Sequence, residues 1–228
     1  MKRTLVLWDI DGTLIVTRNA GSRAMEIAFE RHFGRPGDLS GIEWAGRTDT
    51  SLAPEILRRN GVDPTPSACE AYLEAYLRLL PGELARGPQG RVLPGVDQLT
   101  AHFAADPRFA QGLLTGNLRR GAEHKLVHYR LWQHFPFGAF ADDSPRRDDL
   151  GPVALRRAAG HHGREFAAPE TVIIGDTPHD IACARAFGAR VIAVATGRHS
   201  TTDLAAHTPD AVFPDLADTE AVLRALVA

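Results

Sequence analysis

The chain of 228 residues is 44% hydrophobic and carries a formal net charge of −2 at pH 7. Positive and negative residues are interspersed, which argues against a nucleic-acid groove and against adhesion to an anionic membrane. The length suits one large α/β domain, or a core domain with a smaller insertion. Cys69 and Cys183 have no spacing typical of zinc or disulfide frameworks, and Asp9 interrupts the N-terminal apolar run. We therefore expect a cytoplasmic protein without a signal peptide.

An apolar run at residues 4–8 leads directly into the sequence DIDGT and predicts a buried first strand. Strand side chains alternate with a period of two, so Asp9 and Asp11 point to the same side if the extended geometry continues. Two close carboxylates repel each other unless a cation lies between them, and Mg²⁺ prefers such oxygen ligands. Gly12 lets the backbone approach a ligand closely, and Thr13 adds a hydroxyl. The alternative is an ordinary Asp-Gly turn.

Helical periodicity dominates between this strand and residue 89, and no convincing strand is predicted there. The predicted helices cover 20–33, 50–60 and 67–80, and a Pro-Gly pair at 81–82 is expected to end the third. We interpret residues 16–89 as a helical insertion into a core made of residues 1–15 and 90–228. The sequence Gly87-Pro88-Gln89-Gly90 marks its end. An insertion that leaves the end of the first strand would act as a lid over that edge.

From about residue 90 onward, β-branched runs alternate with amphipathic stretches, which is typical of βα units in a parallel sheet. The predicted strands cover 110–115, 137–141, 171–175, 190–195 and 211–213. The predicted helices cover 95–105, 118–131, 152–162, 179–187, 200–206 and 217–227. Together with the first strand they predict an α/β, Rossmann-like parallel sheet with helices on both faces. Ligands bind outside the carboxyl ends of strands in such sheets.

The strand predicted at 110–115 ends in a sequence that suits an anion. Thr115 offers a hydroxyl, and Gly116 and Asn117 stand where the next helix begins. Unsatisfied backbone N–H groups and the helix dipole favour negative charge at such a position. The alternative is a simple turn in which Asn117 caps the helix.

The strand predicted at 171–175 ends in a second acidic pair. Asp176 falls in the strand-to-helix loop, and Asp180 falls four residues on, in the first turn of the helix, where it can face the same way. Acidic residues are favoured at a helix N-terminus for structural reasons alone, which explains one of the two. This structural preference does not explain why Asp176 and Asp180 occur together with the pair Asp9 and Asp11.

Taken together, these motifs resemble those of the haloacid dehalogenase-like (HAD) hydrolase superfamily, in particular its phosphoglycolate phosphatase-like members with a small helical cap. DIDGT resembles the first motif, TGN at 115–117 the second, and GDTPHD at 175–180 the fourth. The helical segment 14–89 lies where that family inserts its cap. The resemblance spans essentially the whole chain.

The resemblance implies phosphoryl transfer through an aspartyl-phosphate, with Asp9 as the nucleophile and Asp11 as the acid and base. It implies Mg²⁺ held by Asp9, the backbone carbonyl of Asp11 and Asp176. Asp180 is also expected at the metal site, where it would orient the waters or the neighbouring groups of the ion. Thr115 is expected to hold the transferring phosphoryl. The other residues expected to bind the phosphate group are Gly12, Thr13, Gly116 and Asn117.

The chain departs from the family in one respect, because the family usually places a lysine before the fourth motif and this region has none. Arg147 is the best replacement and Arg146 the second, since arginine keeps its charge and offers a bidentate fork to phosphate. The alternative is that both arginines pair with acidic neighbours at the surface. Lys125, on the helix after Thr115, is expected to be too distant and solvated.

Within the insertion, the sequence GRTD at 46–49 interrupts the helical pattern. The resemblance implies that cap loops face the active site and select the substrate, so Arg47 and Thr48 are predicted to bind substrate, Arg47 through a second anionic group. An equally open alternative is that Thr48 or Asp49 simply caps the next helix. Arg18, near a predicted hinge, is a weaker candidate for the same edge.

The leading interpretation is a Mg²⁺-dependent phosphatase acting on a small phosphorylated metabolite such as phosphoglycolate or a sugar phosphate. A phosphomutase of the β-phosphoglucomutase kind would use the same core but shield the aspartyl-phosphate from water. A dehalogenase would share the nucleophile without needing Asp11 or the metal. A binding or regulatory module of low turnover is supported only by the replacement of lysine with arginine.

Overall fold

The computed structural model describes residues 3–86 and 90–227. The strands in this part of the chain are β1 (Thr4–Trp8), β2 (Ile15–Val16), β3 (Arg91–Val92), β4 (Phe109–Leu114), β5 (Gly138–Ala139), β6 (Thr171–Gly175), β7 (Arg190–Val194) and β8 (Ala211–Phe213). Its α-helices are α1 (Ala20–Phe33), α2 (Asp49–Arg59), α3 (Pro66–Ala85), α4 (Val96–Ala105), α5 (Arg119–His128), α6 (Leu150–His162), α7 (Pro178–Phe187), α8 (Thr201–Ala205) and α9 (Thr219–Val227). Short 3-10 turns lie at Trp132–His134, Arg147–Asp149 and Ala168–Glu170.

Six of these strands form one parallel sheet in the order β5-β4-β1-β6-β7-β8. The predicted α/β, Rossmann-like fold is confirmed. Strand order reverses at β1, because β4 lies on one side of it and β6 on the other. The reversal opens a crevice beyond the carboxyl ends of these three strands.

Alternating side chains of β1 fill the two faces of the sheet. Val6 and Trp8 join an apolar cluster with residues of α4, α5 and α9. Leu5 and Leu7 join a second cluster with residues of α6, α7 and α8. Because both faces are covered, a shift of one residue would exchange the two sets of side chains. The packing therefore fixes the point at which Asp9 leaves the strand.

Helices α1, α2 and α3 share a third apolar cluster, in which Phe29, Tyr72 and Tyr76 are fully or almost fully buried. Leu118, in the loop before α5, belongs to this cluster, and α3 packs against α5. The division into residues 1–15, 16–89 and 90–228 stays a prediction. Gly87, Pro88 and Gln89, at its second boundary, lie outside the described residues.

Three local predictions are wrong. Helix α3 continues through Pro81 to Ala85, because Leu84 is buried and its packing outweighs the hydrogen bond that proline removes. The segment predicted to contain no strand includes β2, which pairs antiparallel with β3. The helix predicted at 118–131 ends at His128, and Arg130 has a left-handed φ of 60°.

No helix in the described residues is both long and apolar enough to cross a membrane.

Candidate active site

Three polar side chains meet at the carboxyl edge of the sheet. Asp9 follows β1, Thr115 follows β4 and Asp176 follows β6, and these strands are neighbours in the sheet. The backbone N–H of Asp9 donates to the carbonyl of Ile174 at 3.0 Å, which extends the pairing of β1 with β6 up to the first acid. All three polar side chains are buried. The sheet thus brings residues of three separate motifs to one place.

Asp9, Asp176 and Asp180 form a buried acid cluster, in which one carboxylate oxygen of each lies within 4.8 Å of the others. Asp180 lies in the first turn of α7, and its Oδ2 accepts hydrogen bonds from the N–H (3.0 Å) and the hydroxyl (2.7 Å) of Thr177. Thr13 donates its hydroxyl to Asp176 Oδ1 at 3.2 Å. The cluster is therefore positioned by a helix cap and by the predicted Thr13.

Burial makes the charged form of these acids costly. Burial raises the pKa of Asp9 to about 6, although the guanidinium of Arg147 opposes this shift. The pKa of Asp176 lies well above its usual range, first through burial and then through repulsion from Asp9 and Asp180. Buried carboxylates that repel each other are stabilised by a hard divalent cation. The donor set of the acid cluster therefore fits a divalent metal ion.

Arg147 supplies a cation to this cluster. Its Nη2 lies 2.9 Å from Asp9 Oδ1 and 2.5 Å from Asp180 Oδ1, and its Nη1 donates to the carbonyl of Gly46 at 3.1 Å. Burial lowers the pKa of Arg147, but the charges of Asp180 and Asp9 raise it further, so the guanidinium stays charged. Arg146 instead points to solvent and pairs with Asp149 at 3.4 Å. Arg147 is thus the arginine that reaches the acids.

Asp11 belongs to a second, separate group of polar side chains. Its Oδ2 accepts hydrogen bonds from Lys125 Nζ at 2.5 Å and from Asn117 Nδ2 at 2.9 Å. Asn117 Nδ2 also lies 2.9 Å from the Thr115 hydroxyl oxygen. The prediction that Lys125 is distant and solvated is wrong, because Lys125 is buried and its four-carbon stem reaches back to Asp11.

Two of the predicted glycines are required by close approaches. Gly12 has a left-handed φ of 86°, and a Cβ there would lie 2.3 Å from Asp176 Oδ2. A Cβ on Gly116 would lie 2.1 Å from the carbonyl oxygen of Arg47. The first glycine lets the chain turn beside the acid cluster. The second lets the helical segment contact the loop after β4.

The segment at residues 46–49 is bonded to the core loops. Thr48 caps α2 through Ser51 N at 3.1 Å and donates its hydroxyl to the carbonyl of Pro145 at 2.7 Å. The Asp49 N–H donates to the Gly116 carbonyl at 2.7 Å. Its carboxylate accepts the N–H of Leu118 at 2.8 Å. Of the two open alternatives for Thr48, the helix cap is therefore present, and its hydroxyl also bonds a core loop.

A cavity of about 780 Å³ lies between the strand ends and the helices α1 to α3. Core residues of both polar groups line it, and the helical segment adds Arg47, Trp44 and Tyr76. Arg47 is paired with Glu55 at 2.6 Å, whereas Arg18 is exposed at the cavity, with a left-handed φ of 53°. The volume suits a small metabolite.

Lys125 and Tyr76 are among the residues at the site that the sequence-based predictions of site residues did not include. Lys125 has one signal in its favour, since Lys2 and Lys125 are the lysines of a chain whose other strong bases are arginines. Tyr76 has none, because its spacing is that of an ordinary core residue on α3. Its hydroxyl and the Nζ of Lys125 both face Gly21, because a Cβ built on that glycine would lie 3.9 Å from the hydroxyl oxygen and 3.7 Å from Nζ.

Comparison with known sequences finds a matching family model and curated relatives. A family model described as HAD-hydrolase-like matches residues 149–219. The phosphoglycolate phosphatase of Pseudomonas fluorescens is 25% identical over 223 residues, which cover 93% of this chain and 76% of that protein.

Solved structures share the fold over nearly the whole chain. A predicted phosphoglycolate phosphatase from Haemophilus somnus superposes with a TM-score of 0.70 at 16% identity and covers 98% of this chain and 99% of its own. A mutant of CbbY from Rhodobacter sphaeroides, in complex with xylulose-(1,5)-bisphosphate, gives a TM-score of 0.73 at 18% identity, with 95% and 96% covered. At these identities the likeness concerns the fold.

Proposed function

We propose that this chain, a phosphatase of the HAD hydrolase superfamily, hydrolyses a small phosphorylated metabolite through an aspartyl-phosphate on Asp9. The substrate class is of the phosphoglycolate or sugar phosphate type. One observation carries the proposal: a buried Asp9 lies at the switch point of the sheet, 2.9 Å from Arg147 and within the acid cluster.

In the first step, a carboxylate oxygen of Asp9 attacks phosphorus, and the bond between phosphorus and the ester oxygen breaks. Arg147 stabilises the negative charge that gathers between nucleophile and phosphoryl group. Asp11 gives a proton to the leaving alkoxide, so the alcohol departs neutral. Asp9 is left as a mixed anhydride with phosphate, which divides one difficult displacement into two easier ones.

In the second step, Asp11 takes a proton from water, and the resulting hydroxide attacks the phosphorus of the aspartyl-phosphate. The bond between phosphorus and the Asp9 oxygen breaks. Inorganic phosphate is released, and the free Asp9 carboxylate is regenerated. Asp11 ends this step protonated and ready for another ester. The two half-reactions therefore return every group to its starting state.

The loop after β4 is proposed to hold the phosphoryl group. The Thr115 hydroxyl oxygen lies 2.9 Å from Asn117 Nδ2 and accepts from it, so its own proton is free to bond a phosphoryl oxygen. The backbone N–H of Gly116 would add a donor next to the start of α5, and the Asn117 N–H donates to the Thr115 hydroxyl oxygen at 3.4 Å and so helps to orient it. Gly12, which lines the cavity, would bring the backbone of the first motif against the same group, and the buried Thr13 would support this backbone through its bond to Asp176.

Mg²⁺ is the proposed metal, because the acid cluster offers hard carboxylate oxygens without enough positive charge to balance them. Asp9, the backbone carbonyl of Asp11 and Asp176 would hold it, and Asp180 would orient the groups around it. A bound Mg²⁺ would neutralise charge on the phosphoryl group and on the nucleophile.

Residues 16–89 are proposed to be the cap of a core made of residues 1–15 and 90–228. The cap covers the cavity from above the strand ends and would select the substrate, with Arg47 and Arg18 as candidates to bind a second anionic group of the substrate.

Free thiols at Cys69 and Cys183 support a reducing cytoplasm as the location. The expected partner is a small phosphate ester rather than a nucleic acid or a membrane.

Release of inorganic phosphate tests the proposal. Purified protein with Mg²⁺ would be assayed against two- and three-carbon phosphoacids, sugar phosphates and nucleotides, with Asp9→Asn as the matched blank. We expect one class of small ester to be preferred and its turnover to vanish in Asp9→Asn. Turnover that survives Asp9→Asn, or isomerisation of a sugar phosphate without phosphate release, would overturn it.

A further inference from the structure

Lys125 is a buried cation that lies outside the acid cluster. Its Nζ is 2.5 Å from Asp11 Oδ2 and 2.6 Å from Asn117 Oδ1, and Asn117 Nδ2 donates to the same Asp11 oxygen at 2.9 Å. The three side chains close into a ring. Both donors of this ring meet one oxygen of Asp11.

The ring leaves the other oxygen of Asp11 available. Within residues 3–86 and 90–227, the hydrogen bonds to the Asp11 carboxylate go to Oδ2, and none goes to Oδ1. The Asp11 side chain is 41% exposed and lines the cavity. One oxygen is therefore anchored, and the other can meet a ligand.

The surroundings of Lys125 explain why a lysine stands there. Its ammonium faces Gly21 of α1, since a Cβ built on that glycine would lie 3.7 Å from Nζ, and α5 packs against α3. Burying an ammonium costs several kcal/mol unless it is paired, and in the described residues Asp11 is the carboxylate that forms an ion pair with it. A compact charge on a flexible stem fits this narrow place, whereas a planar guanidinium is wider.

We propose that Lys125 is a positioning residue that, together with Asn117, fixes the Asp11 carboxylate through Oδ2 and so presents Oδ1 to the leaving oxygen of the substrate. The inference rests on the proposed function, in which Asp11 is the acid. It gives each reacting carboxylate its own cation, Arg147 for Asp9 and Lys125 for Asp11. Loss of Lys125 would leave the contact between Arg147 and Asp9 in place, so proton donation suffers and nucleophilic attack does not.

Leaving-group dependence separates these two steps. The value of kcat/KM reports the reaction up to the release of the alcohol, and an alkyl ester needs proton donation there. An aryl ester such as 4-nitrophenyl phosphate releases a stable phenolate anion, so it does not need proton donation. We expect Lys125→Met to lower kcat/KM for the preferred alkyl ester roughly tenfold or more beyond any loss for 4-nitrophenyl phosphate. In an Asp11→Asn background, Lys125→Met should cause no further selective loss.

A matched control is Arg120→Met on the same helix, because Arg120 pairs with Glu74 of α3 at 2.5 Å without touching Asp11. Arg120→Met should change kcat/KM by the same factor for the alkyl ester and for 4-nitrophenyl phosphate. Lys125→Gln serves if Lys125→Met does not fold, and it should show the same selectivity. Equal loss for both esters in the Lys125 variants would overturn the inference. Wild-type protein without Asp9-dependent turnover of either ester would instead overturn the proposed function.

Discussion

Nη2 of Arg147 lies 2.9 Å from Oδ1 of Asp9, and the same nitrogen contacts Asp180. One guanidinium therefore faces two buried carboxylates, while Asp176 receives a hydroxyl from Thr13 and no side-chain cation in the described residues. The guanidinium brings a positive charge to Asp9, and its Nη1 also bonds the carbonyl of Gly46 in the helical segment. This links the proposed nucleophile to the proposed cap.

Removal of Arg147 should affect both stability and activity. Arg147→Met leaves Asp9 and Asp180 buried without their cation, so we expect the free energy of unfolding to fall by about 3 kcal/mol in the absence of metal. Phosphatase activity should fall on the order of a hundredfold, and Arg147→Lys should recover part of both. Urea unfolding and initial rates measure the two effects. Arg146→Met is the control and should change neither, so equal losses in the two methionine variants would count against the role of Arg147.

Metal binding should be visible without any assay of turnover. The proposed site exists in the folded protein and not in the unfolded chain. Added Mg²⁺ should therefore raise the Tm of chelator-treated wild-type protein. Asp176→Asn removes one proposed ligand and should weaken or abolish this shift. In metal-free buffer the same variant should be no less stable than wild type, because it relieves repulsion within the acid cluster. The idea fails if Mg²⁺ does not move the Tm of the wild type.

The buried carboxyl of Asp49 should make stability depend on pH. Burial raises its pKa from 3.8 to about 6, although Lys125 and the N–H of Leu118 lower it. Between these values the folded protein holds a proton that the unfolded chain has released. The contribution of Asp49 to the free energy of unfolding therefore falls as the pH rises through this window, by about 3 kcal/mol in total.

Asp49→Asn cannot ionise and should lack this fall. Its free energy of unfolding relative to wild type should rise between about pH 4 and about pH 6 and then level off. Urea unfolding of both proteins in a chelator across this range gives the difference, and subtraction cancels the other buried acids. A difference that stays constant with pH would show that Asp49 titrates normally in the folded protein.

Close contact at Gly116 should make even a methyl group disruptive. A Cβ there would lie 2.1 Å from the Arg47 carbonyl oxygen, and the atom in its way is backbone. We expect Gly116→Ala to displace residues 47–49 and to lower activity on the order of a hundredfold. Gly121→Ala is the matched control, because its Cβ would find no atom nearer than 3.5 Å. Steady-state kinetics and Tm of both variants decide, and similar activities would refute the tight contact.

The fold was predictable because its signals are local. Apolar runs of β-branched residues separated by amphipathic helices fix a parallel sheet, and the polar residues that follow each strand then share one edge. Asp9, Thr115 and Asp176 come together for this reason. The ribbon of β2 and β3 was not predictable, because strands of two residues carry no periodicity.

The neighbours of a long side chain were less predictable than the fold. Periodicity places Lys125 on a face of α5, but the distance to Asp11 depends on how α5 packs against α3 and on where the loop after β1 lies. The end of α3 likewise depends on packing, since Leu84 is buried beyond the proline that should have stopped the helix. Thr48 could be assigned as a helix cap by its pattern, but its bond to Pro145 is a contact across the fold.

The proposed phosphorylation of Asp9 is tested most directly by trapping the enzyme during turnover. Wild-type protein with Mg²⁺ and its preferred ester would be quenched in acid within a single turnover, digested and analysed by mass spectrometry. We expect one phosphoryl group on the peptide that contains Asp9, and none in Asp9→Asn. A phosphoryl group on another residue, or rapid phosphate release from an enzyme that is never phosphorylated, would contradict the proposed mechanism.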